Sequence, residues 1–148
     1  MSFDLIVIGS GPGGYVAAIR AAQCGMQVAV VEKAELGGIC LNWGCIPTKS
    51  LLKSAQVLDY ARHAEAYGVT IAQAEPDFPA IIARSRGVAD KMSKGIQYLF
   101  KKNNITILSG QGRLLPDKKV SVEQSDGTSE IYEAGHIILA TGARSREL

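Results

Sequence analysis

The chain of 148 residues is about one domain's worth, and its 47% hydrophobic and 20% charged residues are the proportions of a globular protein with a core to bury. Its 16 basic and 14 acidic residues are interspersed and leave a net charge of +2, which excludes the electrostatic footprint of a nucleic-acid binder or a protein held on an anionic membrane. No apolar run reaches the roughly 18 residues of a membrane span, and the first residues carry no basic segment or cleavage site, so a cytoplasmic protein is expected.

Residues 3–8 are an apolar run ending at glycine, which reads as a buried parallel strand. Small and apolar residues over 13–24, stopped by Gly25, predict a helix, with Cys24 inside it and facing the core. Residues 27–32 are β-rich and give the second strand of a β-α-β unit. A glycine-rich stretch, 37–47, holds Cys40 and Cys45. From Thr48 to about Glu65 the spacing is helical, with Leu51, Leu52, Ala55, Leu58 and Ala61 on one face. Asp77 caps a second long helix whose apolar positions run from Phe78, Ile81 and Ile82 through Val88, Ala89, Met92 and Ile96 to Leu99 and Phe100. Residues 105–108 are a third core strand.

Between about 110 and 133 the pattern changes to short strands, at 113–115, 120–122 and 130–132, separated by Pro116-Asp117 and Asp126-Gly127. That predicts a small antiparallel meander. Residues 136–140 return to a buried strand closed by Thr141-Gly142. The fold class is α/β, a doubly wound parallel sheet of Rossmann type with the meander inserted. Because the sequence stops just after a strand–glycine unit, residues 1–148 read as a fragment of a longer chain.

Gly9, Gly11 and Gly14 form G-x-G-x-x-G between strand and helix, with Pro12 and Gly13 inside the loop. The first glycine permits a tight turn, the second lets backbone approach a pyrophosphate, and the third allows close helix–strand packing. The anion would sit on free N–H groups at the positive end of the helix. Glu32, 18 residues after Gly14, ends the second strand, where a carboxylate can accept from ribose hydroxyls and would disfavour a 2′-phosphate. These features point to a dinucleotide without separating FAD from NAD.

Three cysteines are too few for a secreted disulfide scaffold, and two closely spaced ones in a reducing compartment read as catalytic or metal-binding. His63 and His136 are isolated, so no zinc set forms and no metal is expected. In a regular helix, residues five apart rise about 7.5 Å, whereas a disulfide needs Cα atoms within about 7 Å. A Cys40–Cys45 bridge would therefore need a broken helix, which Gly44 and Pro47 permit. Two reduced cysteines on a helix remain the alternative from the residues alone.

The segment Gly38-Ile39-Cys40-Leu41-Asn42-Trp43-Gly44-Cys45-Ile46-Pro47-Thr48-Lys49, with Gly9-Ser10-Gly11-Pro12-Gly13-Gly14 before it and Ala140-Thr141-Gly142 after it, resembles the pyridine nucleotide–disulfide oxidoreductases. Within them it is most similar to the branch that oxidises dihydrolipoamide; glutathione- and mercuric-reductase-like members, which tend to carry Val where Leu41 stands, are the alternative, as is a non-catalytic cofactor-binding fragment. The resemblance implies non-covalent FAD, a redox-active Cys40–Cys45 disulfide, and NAD as co-substrate. Cys40 would be the interchange thiol, Cys45 would face the flavin, and Lys49 would lie near the flavin N5. Glu32 would bind the adenosine ribose, Lys33, Gly38, Ile39 and Cys40 would line the cofactor, Gly112 would contact the adenine end, and Ala140, Thr141 and Gly142 would close the second FAD-binding strand. The resemblance also implies a homodimer acting on dihydrolipoamide carried by a lipoyl protein of a 2-oxo acid dehydrogenase or glycine cleavage complex. The resemblance further implies that residues 1–148 are the amino-terminal segment of the FAD-binding domain, and that the catalytic base, in a carboxy-terminal interface domain, and the NAD-binding domain lie outside them.

Overall fold

The first apolar run forms strand β1 (Ser2–Ile8), in which Leu5, Ile6, Val7 and Ile8 are all buried. Burial of successive residues means that both faces of the strand are covered, as parallel strands require. In this computed structural model, which describes residues 2–143 and 146, β1 lies between β2 (Val28–Glu32) and β6 (Ser129–Leu139), parallel to both. Val7 stands opposite Val30 on one side and Ile138 on the other. β3 (Thr106–Ser109) extends the parallel part beyond β2, and β5 (Lys119–Glu123) and β4 (Gln111–Leu115) follow β6 in antiparallel pairing. The six-stranded order is β3-β2-β1-β6-β5-β4.

Parallel neighbours need crossover connections, and helices supply them. α1 (Pro12–Gln23) joins β1 to β2; α2 (Gly38–Asn42), α3 (Cys45–Arg62) and α4 (Phe78–Lys102) lie between β2 and β3. One face of the sheet, with Leu5, Val7, Val28 and Val30, packs on Ala18 of α1, Leu41 of α2, and Ile96 and Phe100 of α4. The opposite face, with Ile6, Ile8, Ala29 and Val31, packs on Val120, Val122, Tyr132 and Ala134 of the meander. The fold is the expected α/β architecture, with helices on one side of the parallel strands and antiparallel strands on the other. Fully burying a side chain such as Phe100 stabilises by roughly 1.5–3 kcal/mol, so these two clusters dominate the fold's stability.

Five expectations are corrected. The last meander strand and the final core strand are one continuous strand, β6, whose first half pairs with β5 and whose second half pairs with β1. Its distal end is less buried than its sequence suggested: Ile138 and Leu139 are exposed, and neither belongs to a core cluster. Cys24 is exposed, because it is the C-cap of α1 and lies past the last inward-facing turn. On α3, Leu52 and Ala55 face outward; Leu51, Leu58 and Ala61 are half-buried as expected, and the most buried positions are Pro47 and Ser50. On α4, Phe78, Ile82, Met92 and Leu99 are exposed, and the buried stripe is Ser85, Ala89, Ser93, Ile96 and Phe100. The Asp77 cap is present: its Oδ1 accepts from the Ala80 N–H at 3.0 Å.

Candidate active site

The loop after β1 is shaped by what its glycines leave out. Gly9 adopts φ +103° and donates its N–H to the Val31 carbonyl at 2.8 Å; a Cβ there would run into the Ala140 carbonyl oxygen. A Cβ on Gly14 would strike the Gly9 carbonyl oxygen, so this residue lets α1 press against the end of β1. Gly11 and Gly13 differ: a Cβ at either meets nothing within 4 Å. Those two open onto empty space in front of the helix. Gly11 is the N-cap and Pro12 the first helical residue, with no side chain capping the end. The first N–H groups of α1 are thus available to an anion. Glycines one and three serve the fold, and the open positions suit a pyrophosphate.

Glu32 ends β2 beside this loop, and its carboxylate is already engaged. Oε2 accepts from the Ser10 N–H at 2.9 Å and from the Ser10 hydroxyl at 2.6 Å, and Oε1 accepts from the Ala34 N–H at 3.0 Å. Ser10 is fully buried, and its hydroxyl also accepts from the Gly37 N–H at 3.2 Å. One side chain therefore ties the loop, the end of β2 and the entry to the cysteine segment. Sequence reasoning passed over Ser10; its one signal was a small hydroxyl residue between two loop glycines. A carboxylate has about four acceptor sites, so Glu32 keeps capacity for a ribose hydroxyl. A cleft of ≈ 340 Å³, lined in part by Glu32, Ala34, Leu36, Ile107 and Ser109, opens at the carboxyl ends of β2 and β3. Ligands of open α/β sheets bind at that end of the strands.

Cys40 and Cys45 are joined by a disulfide, with Cα atoms 4.6 Å apart. α2 stops at Asn42, Trp43 and Gly44 break the helix, and α3 restarts at Cys45 with Gly44 as its N-cap. The broken helix that such a bridge needs is what the chain builds. Pro47 sits in the first turn of α3, where its missing N–H leaves no partner wanting. The segment abuts the dinucleotide loop: Gly38, at φ +62°, is so close that a Cβ would lie 2.8 Å from Gly11 Cα. Cys40 is half-buried and Cys45 exposed; Lys49 follows one turn after Cys45 on the same helix face and is exposed.

The remaining expected residues are dispersed around this centre. Lys33 and Ile39 are exposed next to Glu32 and Gly38. Gly112, on β4, lies over the ends of β1 and β2, where a Cβ would come within 3.0 Å of Ile8 Cγ2 and 3.1 Å of Val31 Cγ1. Packing alone accounts for a glycine there. Ala140 sits under Gly9, its N–H donating to Ile8 at 2.8 Å, and Thr141 and Gly142 emerge exposed from β6 beside the loop. His63 stands at the end of α3 with its Nδ1 3.3 Å from Asp59, and His136 is exposed on β6; neither lies in the cysteine segment. Among the described residues, no helix is long and apolar enough to cross a membrane.

Residues 3–148 match the family described as pyridine nucleotide-disulphide oxidoreductase. The chain is 56% identical over 146 residues to a dihydrolipoyl dehydrogenase of Zymomonas mobilis, an alignment covering 99% of the chain and 31% of that protein. It is 47% identical over 165 residues to a dihydrolipoyl dehydrogenase of Rhizobium etli, covering 99% and 34% respectively. It is 44% identical over 147 residues to the Arabidopsis thaliana protein named dihydrolipoyl dehydrogenase 1, mitochondrial, covering 98% and 29%. The chain spans about a third of the length of the curated relatives it matches.

Proposed function

This chain belongs to the pyridine nucleotide–disulphide oxidoreductase family, and from that premise we propose that it is the FAD-binding, disulfide-bearing part of a dihydrolipoyl dehydrogenase. The observation that carries the reading is the Cys40–Cys45 bridge held across a helix break, with Gly38 packed directly against the dinucleotide loop. The open backbone at Gly11 and Gly13, the uncapped start of α1 and the carboxylate of Glu32 fit FAD bound non-covalently. Lys33, Ile39, Gly112, Ala140, Thr141 and Gly142 are proposed as its outer contacts.

On this reading a thiolate of dihydrolipoamide attacks the Cys40 sulfur, the bond to Cys45 breaks, and Cys45 leaves as a thiolate. The substrate's second thiolate then attacks the mixed disulfide and releases Cys40, so the substrate dithiol becomes a disulfide and the Cys40/Cys45 pair holds the two electrons. FAD, when bound, supplies an acceptor for those electrons and a route for hydride to NAD. The flavin side is assigned to Cys45, exposed at the start of α3, and Lys49 one turn away places a cation on that side. The attacking thiols titrate near 8.5, so a base is needed. We place that base, and the NAD site, outside these 148 residues, because they contain one G-x-G-x-x-G and neither histidine lies in the cysteine segment. The full protein is proposed to be a cytoplasmic homodimer serving a lipoyl protein of a 2-oxo acid dehydrogenase or glycine cleavage complex.

Calorimetric titration with FAD and NAD, together with flavin fluorescence, tests the cofactor assignment: FAD is expected to bind more tightly, and tighter NAD binding would overturn it. Residues 1–148 alone are expected to produce no NADH from dihydrolipoamide. Saturable NADH formation by them would show that a base and a second nucleotide site lie within this chain.

A further inference from the structure

Breaking the helix between Cys40 and Cys45 puts the two sulfurs on separate helices, α2 and the start of α3, and once the bridge opens no bond between the sulfurs keeps these together. Both are fastened to the same neighbour. On the Cys40 side, Ser93 donates its hydroxyl to the Leu36 carbonyl at 3.0 Å, and Arg86 Nη1 donates to the carbonyl of Asn42, the last residue of α2, at 2.9 Å. On the Cys45 side, Arg84 Nη1 donates to the Ser50 carbonyl at 3.0 Å and to the Ser50 hydroxyl at 2.8 Å, and Ser85 donates to the Pro47 carbonyl at 3.4 Å. All four donors belong to α4, a single helix of 25 residues. Ser85 and Ser93 occupy its buried stripe at positions where apolar residues would pack but could not donate. Asn42 adds an internal brace, its amide donating to the Leu36 and Gly38 carbonyls, both at 3.0 Å.

We propose that α4 positions the redox pair: Arg86 and Ser93 on the Cys40 side, and Arg84 and Ser85 on the Cys45 side, hold the two thiols in register while the bridge is open. Closure of a dithiol is favoured by the effective concentration of one thiol at the other, which falls when the two can move apart. Loosening α4's hold on the Cys40 side therefore shifts the equilibrium toward the open dithiol. The proposal rests on the redox reading of Cys40 and Cys45 and is independent of which substrate or cofactor they serve.

The test equilibrates the intact protein that contains this sequence in buffers of reduced and oxidised dithiothreitol. The external dithiol gives up two electrons and becomes its own cyclic disulfide, and the Cys40–Cys45 bridge takes them up as two thiols. After quenching, thiol labelling and peptide mass spectrometry give the ratio of open to bridged pair. In Arg86→Ala/Ser93→Ala the ratio at a fixed buffer is expected to move about tenfold toward the dithiol, roughly 30 mV for two electrons. Arg86→Ala alone, at an exposed residue, is expected to keep the fold and to move the ratio about threefold, and Arg86→Lys, which keeps a donor, to restore most of that. A purely structural role would destabilise the bridged and open forms alike, leaving the ratio unmoved. An unmoved ratio, or a move toward the bridge, overturns the proposal. A wild-type pair that stays bridged across the whole buffer range overturns the redox reading, and the positioning role with it.

Discussion

The dinucleotide loop and the cysteine segment touch each other at Gly11 and Gly38, yet they are held in opposite ways. The loop is fixed by exclusion: Gly9 and Gly14 are pressed so closely on Ala140 and on each other that no side chain fits. The cysteine segment is fixed by attachment, through donors on α4 and the Ser10 hydroxyl reaching its carbonyls and the Gly37 N–H. Exclusion leaves a strong mark on local sequence, since only glycine satisfies it. Attachment leaves almost none, because the donor stands far along the chain: Ser93 is 57 residues from Leu36.

The largest expected effects test the exclusion side. Gly14→Ala and Gly9→Ala are each expected to cost about 3 kcal/mol or more in denaturant unfolding, because the added Cβ meets backbone that has nowhere to go. Gly11→Ala is expected to change stability by less than about 1 kcal/mol, since its Cβ enters open space, yet to weaken FAD binding by at least about tenfold, or 1.4 kcal/mol. Equal stability costs at Gly11 and Gly14 would erase the distinction between fold glycines and ligand glycines.

Next in size is the bridge. Cys40→Ser or Cys45→Ser is expected to abolish dithiol oxidation, but to cost only about 2 kcal/mol of stability, because the loop closed by a bridge between residues five apart is short. A much larger loss would mean that the bridge, rather than α4, holds the segment together. Ser10→Ala probes the seam between the two regions. It leaves Glu32 and the Gly37 N–H without the hydroxyl they share and is expected to cost about 1–3 kcal/mol while weakening FAD binding, as read by thermal unfolding and fluorescence titration.

The smallest expected effect lies in the meander, away from both regions. The Tyr132 hydroxyl donates to Glu130, and this bond, with burial and the Glu130 charge adding to it, raises the tyrosine above its ordinary pKa of 10.0. A raised folded-state pKa favours the protonated phenol, so the stabilisation is complete below pH 10.0 and fades as pH climbs through the raised value. Tyr132→Phe is expected to lower stability by about 0.5–1.5 kcal/mol near neutral pH, and the difference from wild type should shrink in alkaline solution. A difference that grew with alkalinity would reverse the sign and refute the assignment.

The same contrast explains which parts of the structure were legible in the sequence. The β-α-β unit, the Asp77 cap and the helix break around Gly44 follow from residues acting on their near neighbours, and the loop glycines show in the sequence because only glycine fits there, whatever presses on it. The serine stripe of α4 was not legible, because a serine at an inward position looks like a gap in an apolar pattern until the carbonyl it serves is known. The exposed Phe78, Met92 and Leu99 were misplaced for the complementary reason: helical periodicity gives several overlapping stripes, and the choice of buried one is made by the partner. The meander was expected to end at about residue 133, whereas the strand runs on through Gly135, where a Cβ would approach the Asp4 carbonyl oxygen to 3.1 Å. Glu32 was placed correctly at the end of its strand, but its grip on Ser10 depends on a fully buried hydroxyl that periodicity does not reveal.

The continuity of β6 makes the meander and the nucleotide loop one mechanical object. The strand's 11 residues, roughly 35 Å of extended chain, run from the hairpin beside β5 to Ala140 beneath Gly9. Tyr132 and Ala134 lie before Gly135 and Ile137 after it, and all three pack in one cluster, so removing one residue from the middle of the strand would turn one set out of the core they fill. It would also draw Ala140 out from under the loop. The strand behind the hairpin therefore tolerates neither the loss nor the gain of a residue, whereas the exposed tip at Asp126 and Gly127 carries no such constraint. The meander that covers one face of the sheet is thereby also a gauge that sets the height of the floor beneath the glycine loop.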